Sequence, residues 1–525
     1  MQVRGDFLKY YGLKHKEKLE SIMYRYAQKR EKFLSLLPGK RQKYRKEYYD
    51  SIFKYKYVDE NCDNSLPKGK VFDLDYIVIA DLIRREDIKK LQNGIKYLLQ
   101  KRKSNRFNLT PNNGLNELLN KINQMDSTLL CWYNSVDCGN FELKNHFLEE
   151  SIDYFTLKIC NINSGFLSVQ FIVHLSEKKK NEINSIIACN YMDKRGFAFQ
   201  TLTGKKNRLG SYKSYALMYY NNDFLKADKI YEFISEIEWE FLEELRHYFP
   251  LVLHCKEIVP PRIEIYRTNI DYQEEKLSFW DSVGINKYHG QFIDERHKMF
   301  FYNQLSGRYG DISINNRIIY VYKDDNIEVG KLRSIKDQVN YHIREYANDY
   351  FKFEFLDILS REAGKTVIKY KHKLDKIKLK RNHLNDLLKL KYNFLTKIDD
   401  YNRYTRDDIW NRSKKRLSAV YTYSDKIANK SKLSYFQLYS SFCDGIVLDS
   451  QKINDDIKVI MQEFDDKKEI LQNLYDYKSS SHSIQINIIM LVLAAITLFF
   501  VIFPEKAIDV SKLIIEIWHI VKNYF

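Results

Sequence analysis

The chain contains seven cysteines among 525 residues, and no two of them form a Cys-x-x-Cys pair. Such scattered cysteines argue against a disulfide scaffold and a structural zinc site, and they favour a reducing compartment. Charged side chains recur every few positions between Val3 and Lys32, so we expect no secretory signal peptide. No Gly-x-Ser-x-Gly motif occurs and no cysteine has a recognisable histidine partner. We therefore predict no hydrolase, no other enzyme activity, no metal centre and no cofactor.

Proline and glycine, the residues that most often end a helix, are both missing between Gln451 and Phe503. Within this stretch, residues 486–503 carry no charge, and only Asn487 and Thr497 are polar. At about 1.5 Å per residue this run covers roughly 27 Å, close to the ~30 Å thickness of a bilayer core. The sequence therefore predicts a transmembrane span that an uninterrupted helix enters from the soluble part of the chain.

A second apolar stretch, residues 507–525, follows the Pro504-Glu505-Lys506 turn. Its polar residues recur three or four positions apart and form one stripe of a helix: Lys512, Glu516, His519 and Lys522. Two arrangements fit this pattern. The stretch is either a second transmembrane helix whose stripe faces a pore or a partner, which we favour, or a helix lying flat on the far leaflet.

Basic residues exceed acidic ones by 86 to 69, and the excess is concentrated near the start of the chain. Residues 1–58 form a basic, tyrosine-rich arm, predicted to be helical in two segments separated at Pro38-Gly39. The arm has three open interpretations: RNA binding, contact with anionic lipid, and packing on its own body. Lysines that precede the span place the body in the cytoplasm by the positive-inside rule: Lys467, Lys468 and Lys478.

Hydrophobic periodicity predicts an α+β cytosolic domain, a long α-helical coiled stalk and a C-terminal two-helix transmembrane segment. The predicted divisions are the arm at 1–58, a ligand-binding α+β domain at 59–363, the stalk at 364–482 and the membrane segment at 483–525. Predicted strands cover 76–80, 154–159, 166–174, 262–266 and 317–322, and predicted helices cover 81–101, 177–187 and 226–248.

Heptad spacing of apolar residues predicts two stalk helices that pack along an apolar seam. The first seam consists of Leu374, Ile377, Leu384, Leu388, Leu395 and Ile398, with Arg381 and Lys391 at positions where an apolar residue is expected. The second consists of Ile453, Ile457, Ile460, Phe464, Leu471 and Leu474, with Lys467 as the exception. Because a charge in a helix interface weakens one register, we expect the stalk to switch between two arrangements at these three positions.

Two basic clusters are candidate sites for an anionic ligand. Arg84 and Arg85 follow the strand at 76–80, near a helix start whose amides bind anions. The second cluster combines glycine backbone amides with cations in a loop, a composition suited to binding phosphate. Its cations are Arg195, Lys205, Lys206 and Arg208. It is not a Walker A loop, because Lys206 stands where Ser or Thr should be. An ordinary surface pair and a solvated basic hairpin loop are the respective alternatives.

The order of domain, stalk, uninterrupted stalk-to-span helix and short second membrane segment resembles the CorA family of pentameric membrane proteins. The likeness is best over residues 364–525, and its most specific passage runs from Ile470-Leu471-Gln472-Asn473-Leu474-Tyr475-Asp476 through the span. The family's Gly-Met-Asn filter is replaced here by Phe503-Pro504-Glu505-Lys506, which argues against magnesium transport.

With this departure and an enlarged cytosolic body, the chain resembles the divergent CorA-like effectors of type III CRISPR systems. That resemblance implies a homo-oligomer, a pentamer, in the bacterial inner membrane, gated by a nucleotide second messenger such as SAM-AMP or a cyclic oligoadenylate in antiphage defence. The polar residues Asn487, Thr497, Lys512, Glu516 and His519 would then line or support the open path. Two other functions stay open: a tail-anchored module that binds nucleic acid or protein, and a divalent cation transporter.

Overall fold

The computed structural model describes residues 16–39, 42–53, 63–101, 113–125, 135–142, 147–192, 194–201, 213–220, 222–270, 282–284, 291–294, 299–303, 318–323, 335–378, 380, 383–407, 410–420, 435–502, 516 and 519. The chain divides into two compact units. Unit 1 consists of Met1–Ile358 and Asn402–Leu448, and unit 2 consists of Leu359–Tyr401 and Asp449–Phe525.

The described chain alternates helices and strands up to residue 323 and is helical beyond it. The strands are β1 (Phe72–Arg84), β2 (Ser135–Glu142), β3 (Ile152–Asn161), β4 (Phe166–Leu175), β5 (Lys194–Thr201), β6 (Lys213–Tyr220), β7 (Arg262–Thr268), β8 (Gln291–Asp294), β9 (Met299–Asn303) and β10 (Ile318–Lys323). The helices are α1 (Lys16–Leu36), α2 (Gln42–Phe53), α3 (Ile88–Lys101), α4 (Asn113–Gln124), α5 (Glu177–Ala188), α6 (Asn222–Leu245), α7 (Val252–Cys255), α8 (Ile335–Asp375), α9 (Leu384–Thr405), α10 (Trp410–Val420) and α11 (Tyr435–Ile502).

Unit 1 is built on an eight-stranded sheet in the order β2-β3-β4-β1-β7-β10-β9-β8. Strands β7 and β10 pair in parallel, and the other neighbours pair antiparallel, so the sheet is mixed. A separate two-stranded sheet contains β5 and β6. The α+β prediction is confirmed, as are the predicted hairpin of β3 and β4 and the division of the arm into two helices near Pro38.

One predicted boundary is wrong. Residues 81–84 were expected to begin a helix, but they continue β1, and α3 starts only at Ile88 after a short 3-10 turn at Arg85–Asp87. Tertiary pairing explains the difference, because these residues form ladder pairs with β4 from Asp81↔Val169 to Arg84↔Phe166. Strand pairing in a central position overrides local helix propensity.

The main sheet has two faces of different chemistry, since side chains alternate between faces along each strand. The first face is apolar: Ile77, Leu157 and Phe171 join one large core with residues of α3, α5 and α6. The second face carries polar residues on β3 and β4, such as Thr156, Lys158 and Gln170, and Tyr350 in the first part of α8 packs edge-on to Tyr320 on it, with ring centroids 5.9 Å apart. This second face is the feature of the fold that positions the candidate site.

Unit 2 is a helical bundle made from the second part of α8, most of α9 and the later part of α11. Phe394 of α9 lies in its core, with ring centroids 5.5 Å from Tyr370 of α8 and 5.9 Å from Phe464 of α11. Tyr401 donates a hydrogen bond to the backbone oxygen of Ser450 at 2.7 Å. Aromatic packing therefore joins all three helices of the bundle.

The first predicted seam is wrong at two of its residues. Leu374 and Ile398 are buried as expected, but Leu388 and Leu395 are 42% and 39% exposed, whereas the neighbouring Leu387 and Phe394 are buried. Both registers carry apolar residues, and the observed one packs Phe394 against Tyr370 and Phe464. In the second seam, Ile457, Ile460, Phe464 and Leu471 are buried as predicted, and Leu474 is exposed.

Candidate functional site

Arg85, one of the predicted anion ligands, lies at the junction of β1 and the 3-10 turn that precedes α3. Its guanidinium donates to the backbone oxygen of Asn163 at 2.8 Å, to that of Met125 at 3.2 Å and to Oδ1 of Asn161 at 2.5 Å. Arg84 is the last residue of β1. Since the Arg85 guanidinium already joins three segments, an anion at this position would compete with these bonds. Anion binding by Arg84 and Arg85 stays a prediction.

The loop between β3 and β4 connects this junction to the end of α9. Asn163 accepts hydrogen bonds from the backbone of Gly165 at 3.0 Å and Phe166 at 2.8 Å, and it donates to the oxygen of Tyr404 at 2.8 Å. The Ser164 amide donates to the carboxylate of Asp407 at 2.7 Å. The Asn-rich turn had predicted only a hairpin, so this connection to α9 was not found from the sequence.

The structure describes only one residue of the second predicted cluster, and this residue lies on the small sheet. Arg195 lies on β5, which pairs with β6 from Lys194↔Tyr220 to Thr201↔Lys213. The other three residues, Lys205, Lys206 and Arg208, fall in the connection between these strands and lie outside the described residues. Arg84 and Arg195 therefore lie on different sheets.

A polar cavity of about 110 Å³ lies on the second face of the main sheet, between β1 to β4 and the first part of α8. Three aromatic rings lie in its wall: Tyr154 stacks on His174 with centroids 4.2 Å apart at 15°, and Tyr76 lies 5.1 Å from the same histidine. Amide and guanidinium groups also line it, from Asn140, Asn340 and Arg344. Burial raises the pKa of Tyr76 above its ordinary value, so its hydroxyl stays protonated.

The polar groups around the cavity are held in place by hydrogen bonds. Thr156 donates to Oδ1 of Asn140 at 2.5 Å, and the buried Lys158 donates to the backbone oxygen of Arg344. The Arg344 guanidinium itself lies 3.7 Å from the carboxylate of Asp137, and both side chains are about half exposed. The strand alternation of polar residues in β3 and β4 was the sequence signal for this face, although polar alternation is equally typical of a solvated face.

Unit 1 also contains a buried ion network between β7 and α6. Arg262 donates to Glu238 at 2.7 Å and to Glu264 at 3.3 Å, and its guanidinium lies 4.4 Å from the ring centroid of Tyr231. Burial opposes the charge of Arg262, but the attraction of the two carboxylates outweighs it and raises the arginine pKa. The group is fixed by its neighbours and joins the sheet to α6.

A second buried polar group connects β1 to α7. The carboxylate of Asp81 accepts from the amides of Leu82 at 2.6 Å, Leu253 at 2.8 Å and His254 at 3.0 Å. Burial outweighs these three bonds and raises the pKa of Asp81 to about 7. Burial also lowers the pKa of His254 to about 4, so this histidine is neutral at pH 7 while it contacts Glu243 at 3.1 Å.

The charges expected to disturb the stalk seams have partners in unit 2. Lys391 donates to Asp465 at 2.5 Å, and Lys467 donates to the backbone oxygen of Leu374, in the last turn of α8, at 2.7 Å. A cation at this end of a helix is favourable because it meets unpaired carbonyl groups. Both charges therefore have partners in the arrangement observed, and switching at these positions stays a prediction. Arg381 lies outside the described residues.

Among the described residues, one helix is long and apolar enough to cross a membrane. It is the α11 segment Cys443–Leu498, and none of its most apolar eighteen-residue window is buried within the protein. Thr497 donates to its own helix at Leu493 O, 2.8 Å away, and Asn487 is exposed. Glu516 and His519 are helical and exposed, whereas Lys512 and the Pro504-Glu505-Lys506 turn lie outside the described residues.

Comparison with known proteins found no relative of this chain. No family model matches the chain, and neither a curated protein nor a solved structure matches it.

Proposed function

We propose that the chain is a homo-oligomeric, CorA-like membrane effector, a channel whose cytoplasmic unit binds an anionic nucleotide second messenger in antiphage defence. In this proposal α11 crosses the bacterial inner membrane, residues 507–525 return as a second membrane helix, and copies assemble through their stalks, five in number by resemblance to CorA. Ligand binding shifts a closed-to-open equilibrium, which requires that the two states differ in affinity for the ligand.

The observation that carries the proposal is the exposure of the apolar end of α11. A helix in the core of a soluble protein buries its apolar residues against other elements. Here the apolar window is uncovered while α11 remains one helix from Tyr435 to Ile502. The exposed side chains include Ile486, Leu491, Leu493 and Leu498. The hydrocarbon core of a bilayer would remove these side chains from water without a protein partner.

Exposed apolar residues on the stalk support the assembly of several copies. On α9, Leu388, Tyr392 and Leu395 are exposed and follow the spacing of one helix face. On α11, Ile470, Leu474 and Tyr477 repeat the same spacing and are also exposed. Monomeric proteins rarely expose contiguous apolar stripes. A second copy of the stalk would cover these two faces as neighbouring helices of a coiled coil do.

Membrane insertion and assembly are tested on the full-length protein. We expect it to stay in membranes after a carbonate wash and to run as a single oligomer in mild detergent. The double variant Leu388→Glu, Leu395→Glu should dissociate that oligomer, and the matched control Asn393→Glu, on another exposed position of α9, should not. A chain released by carbonate, or a monomer at every protein concentration, would contradict the proposal and favour a tethered or soluble binding module.

Channel activity is tested by ion flux from liposomes that contain the purified protein, with SAM-AMP and cyclic oligoadenylates as the added ligands. The Thr497 hydroxyl donates to Leu493 O within α11, whereas the Asn487 side chain also has a carbonyl acceptor, for which the interior of a helix offers no free N–H donor. Asn487→Leu should therefore alter the flux, and Thr497→Val should alter it less, because the Thr497 hydroxyl is already bonded within its own helix. Divalent cation uptake without any ligand would instead select the transporter. Salt-sensitive RNA binding without flux would select the tail-anchored module.

A further inference from the structure

The cavity between the sheet and α8 has the chemistry of a base-binding site. We propose that it takes the heterocyclic base of a nucleotide, with the phosphate held at its rim by Arg344. The assignment identifies where a nucleotide would bind on unit 1, and it differs from both sites that the sequence suggested. It rests on the proposed function only for its consequence, gating; binding itself is a property of unit 1.

Aromatic rings form part of the cavity wall. Tyr154 and His174 are stacked nearly parallel at 15°, and Tyr76 adds a third ring beside the histidine. Aromatic rings recognise every nucleobase by its face, and a stacked base contributes about 1–3 kcal/mol. Packing alone does not require polar aromatic side chains here, because aliphatic residues would fill the same space without a buried polar group to satisfy.

The cavity is also lined by side chains that can form hydrogen bonds with the edge of a base. The Asn140 and Asn340 side chains each carry a carbonyl acceptor and an amide donor, the combination that pairs with a base edge. Asn140 is held by the 2.5 Å bond from Thr156, so its amide is pre-oriented. Asn140 lies on β2 and Asn340 on α8, so a bound base would contact the sheet and the helix together.

The size of the cavity decides how much of the ligand it holds. At about 110 Å³ it is smaller than the ~300–1,000 Å³ of sites that enclose a whole drug-sized ligand, so it holds one ring system and leaves the sugar and phosphate outside.

Arg344 is suited to the phosphate. Its ion pair with Asp137 spans 3.7 Å between half-exposed side chains, and such pairs contribute less than about 1 kcal/mol. A phosphate can therefore replace Asp137 as its partner, in the forked geometry that guanidinium groups form with phosphate oxygens. Arg344 lies on α8, and α8 runs without interruption to Asp375 in the stalk, which gives the ligand a direct connection to the helix that would respond.

Binding is measured by calorimetry on the full-length protein in detergent, with AMP, GMP, CMP, UMP and the nucleoside adenosine as probes. We expect saturable binding of at least one monophosphate. Tyr154→Leu should weaken it about 5- to 150-fold, whereas Tyr154→Phe keeps the ring and should retain it. Arg344→Gln should weaken a monophosphate about fivefold and leave its nucleoside unchanged. Met192→Ala, at an exposed position of unit 1 outside the cavity, is the control for loss of a surface side chain.

Thermal unfolding of each variant identifies those that fail to fold. If Tyr154→Leu is among them, Asn340→Leu replaces it, because this change leaves the sheet intact and should also weaken binding. The inference is overturned if no monophosphate binds at millimolar concentration, or if binding is the same in Tyr154→Leu and Asn340→Leu as in the unaltered protein. Binding without ligand-dependent flux would leave the inference intact and remove gating from the proposed function. Flux that responds to a second messenger while the cavity variants bind normally would overturn the inference and leave gating in the proposed function.

Discussion

Leu387 and Leu388 are adjacent leucines on α9, and truncating each to alanine distinguishes the observed packing of the stalk from the packing that heptad spacing predicts. Leu387 is 1% exposed, so Leu387→Ala leaves a cavity in the core of unit 2 and should cost about 2–5 kcal/mol. Leu388 is 42% exposed, so Leu388→Ala gives up only part of a leucine's burial and should cost about 1 kcal/mol or less within one chain.

The assay is hydrogen exchange of α9 amides, followed by mass spectrometry on the full-length protein in detergent. A loss of 2–5 kcal/mol corresponds to exchange accelerated by about 30-fold or more, since each ~1.4 kcal/mol is a factor of ten. Because Leu388 also lies on the proposed stalk interface, the effect of its variant should depend on protein concentration, and that of Leu387→Ala should not. Equal effects, or a larger effect for Leu388, would refute the observed register and restore the predicted seam.

Three further predictions concern other parts of the molecule. In Gly94→Ala the new methyl group would meet the backbone oxygen of Tyr248, which cannot move aside, so unit 1 should be strongly destabilised in thermal unfolding. The comparison is Gly364→Ala, whose methyl group meets only the flexible end of Ile453 at 2.9 Å and should be tolerated. Lys467→Met removes the donor to Leu374 O and should cost about 1 kcal/mol by urea unfolding, whereas Lys468→Met, at an exposed position, should stay within about 0.5 kcal/mol. For pH dependence, Asp81 has a pKa raised from 3.8 to about 7, so the folded state binds the extra proton and loses that stabilisation as pH rises through this window. His254, lowered from 6.5 to about 4, acts in the opposite direction and offsets it between pH 4 and 6.5. Asp81→Asn should therefore gain stability relative to the unaltered protein as pH rises from 3.8 to 7, by at most about 4 kcal/mol. Unfolding can be followed by the fluorescence of Trp239, whose ring centroid lies 5.4 Å from that of His254. A difference in stability that does not depend on pH would show that Asp81 titrates normally.

Local patterns determined much of the secondary structure. Alternating apolar residues around the Asn-rich turn were sufficient for the β3–β4 hairpin, because strand periodicity and turn chemistry both act over a few residues. The same holds for α11, where the missing proline and glycine and the uncharged run at 486–503 follow directly from composition. Its fitness to span a membrane depends on length and hydrophobicity, which need no tertiary contact.

Long-range packing decided the rest. The extension of β1 through Arg84 depends on the partner strand β4, and the choice of Leu387 over Leu388 depends on where Phe394 meets Tyr370 and Phe464. Lys467 stands where the heptad pattern expects an apolar residue, but its ammonium group donates to the backbone oxygen of Leu374 at the end of α8, a distant part of the chain. The cavity has the same origin: its aromatic and amide residues lie on four strands and a helix, and no spacing along the chain indicates that they meet. Periodicity specifies which face of an element is apolar, and only the folded chain specifies what that face, or the polar face behind it, will contact.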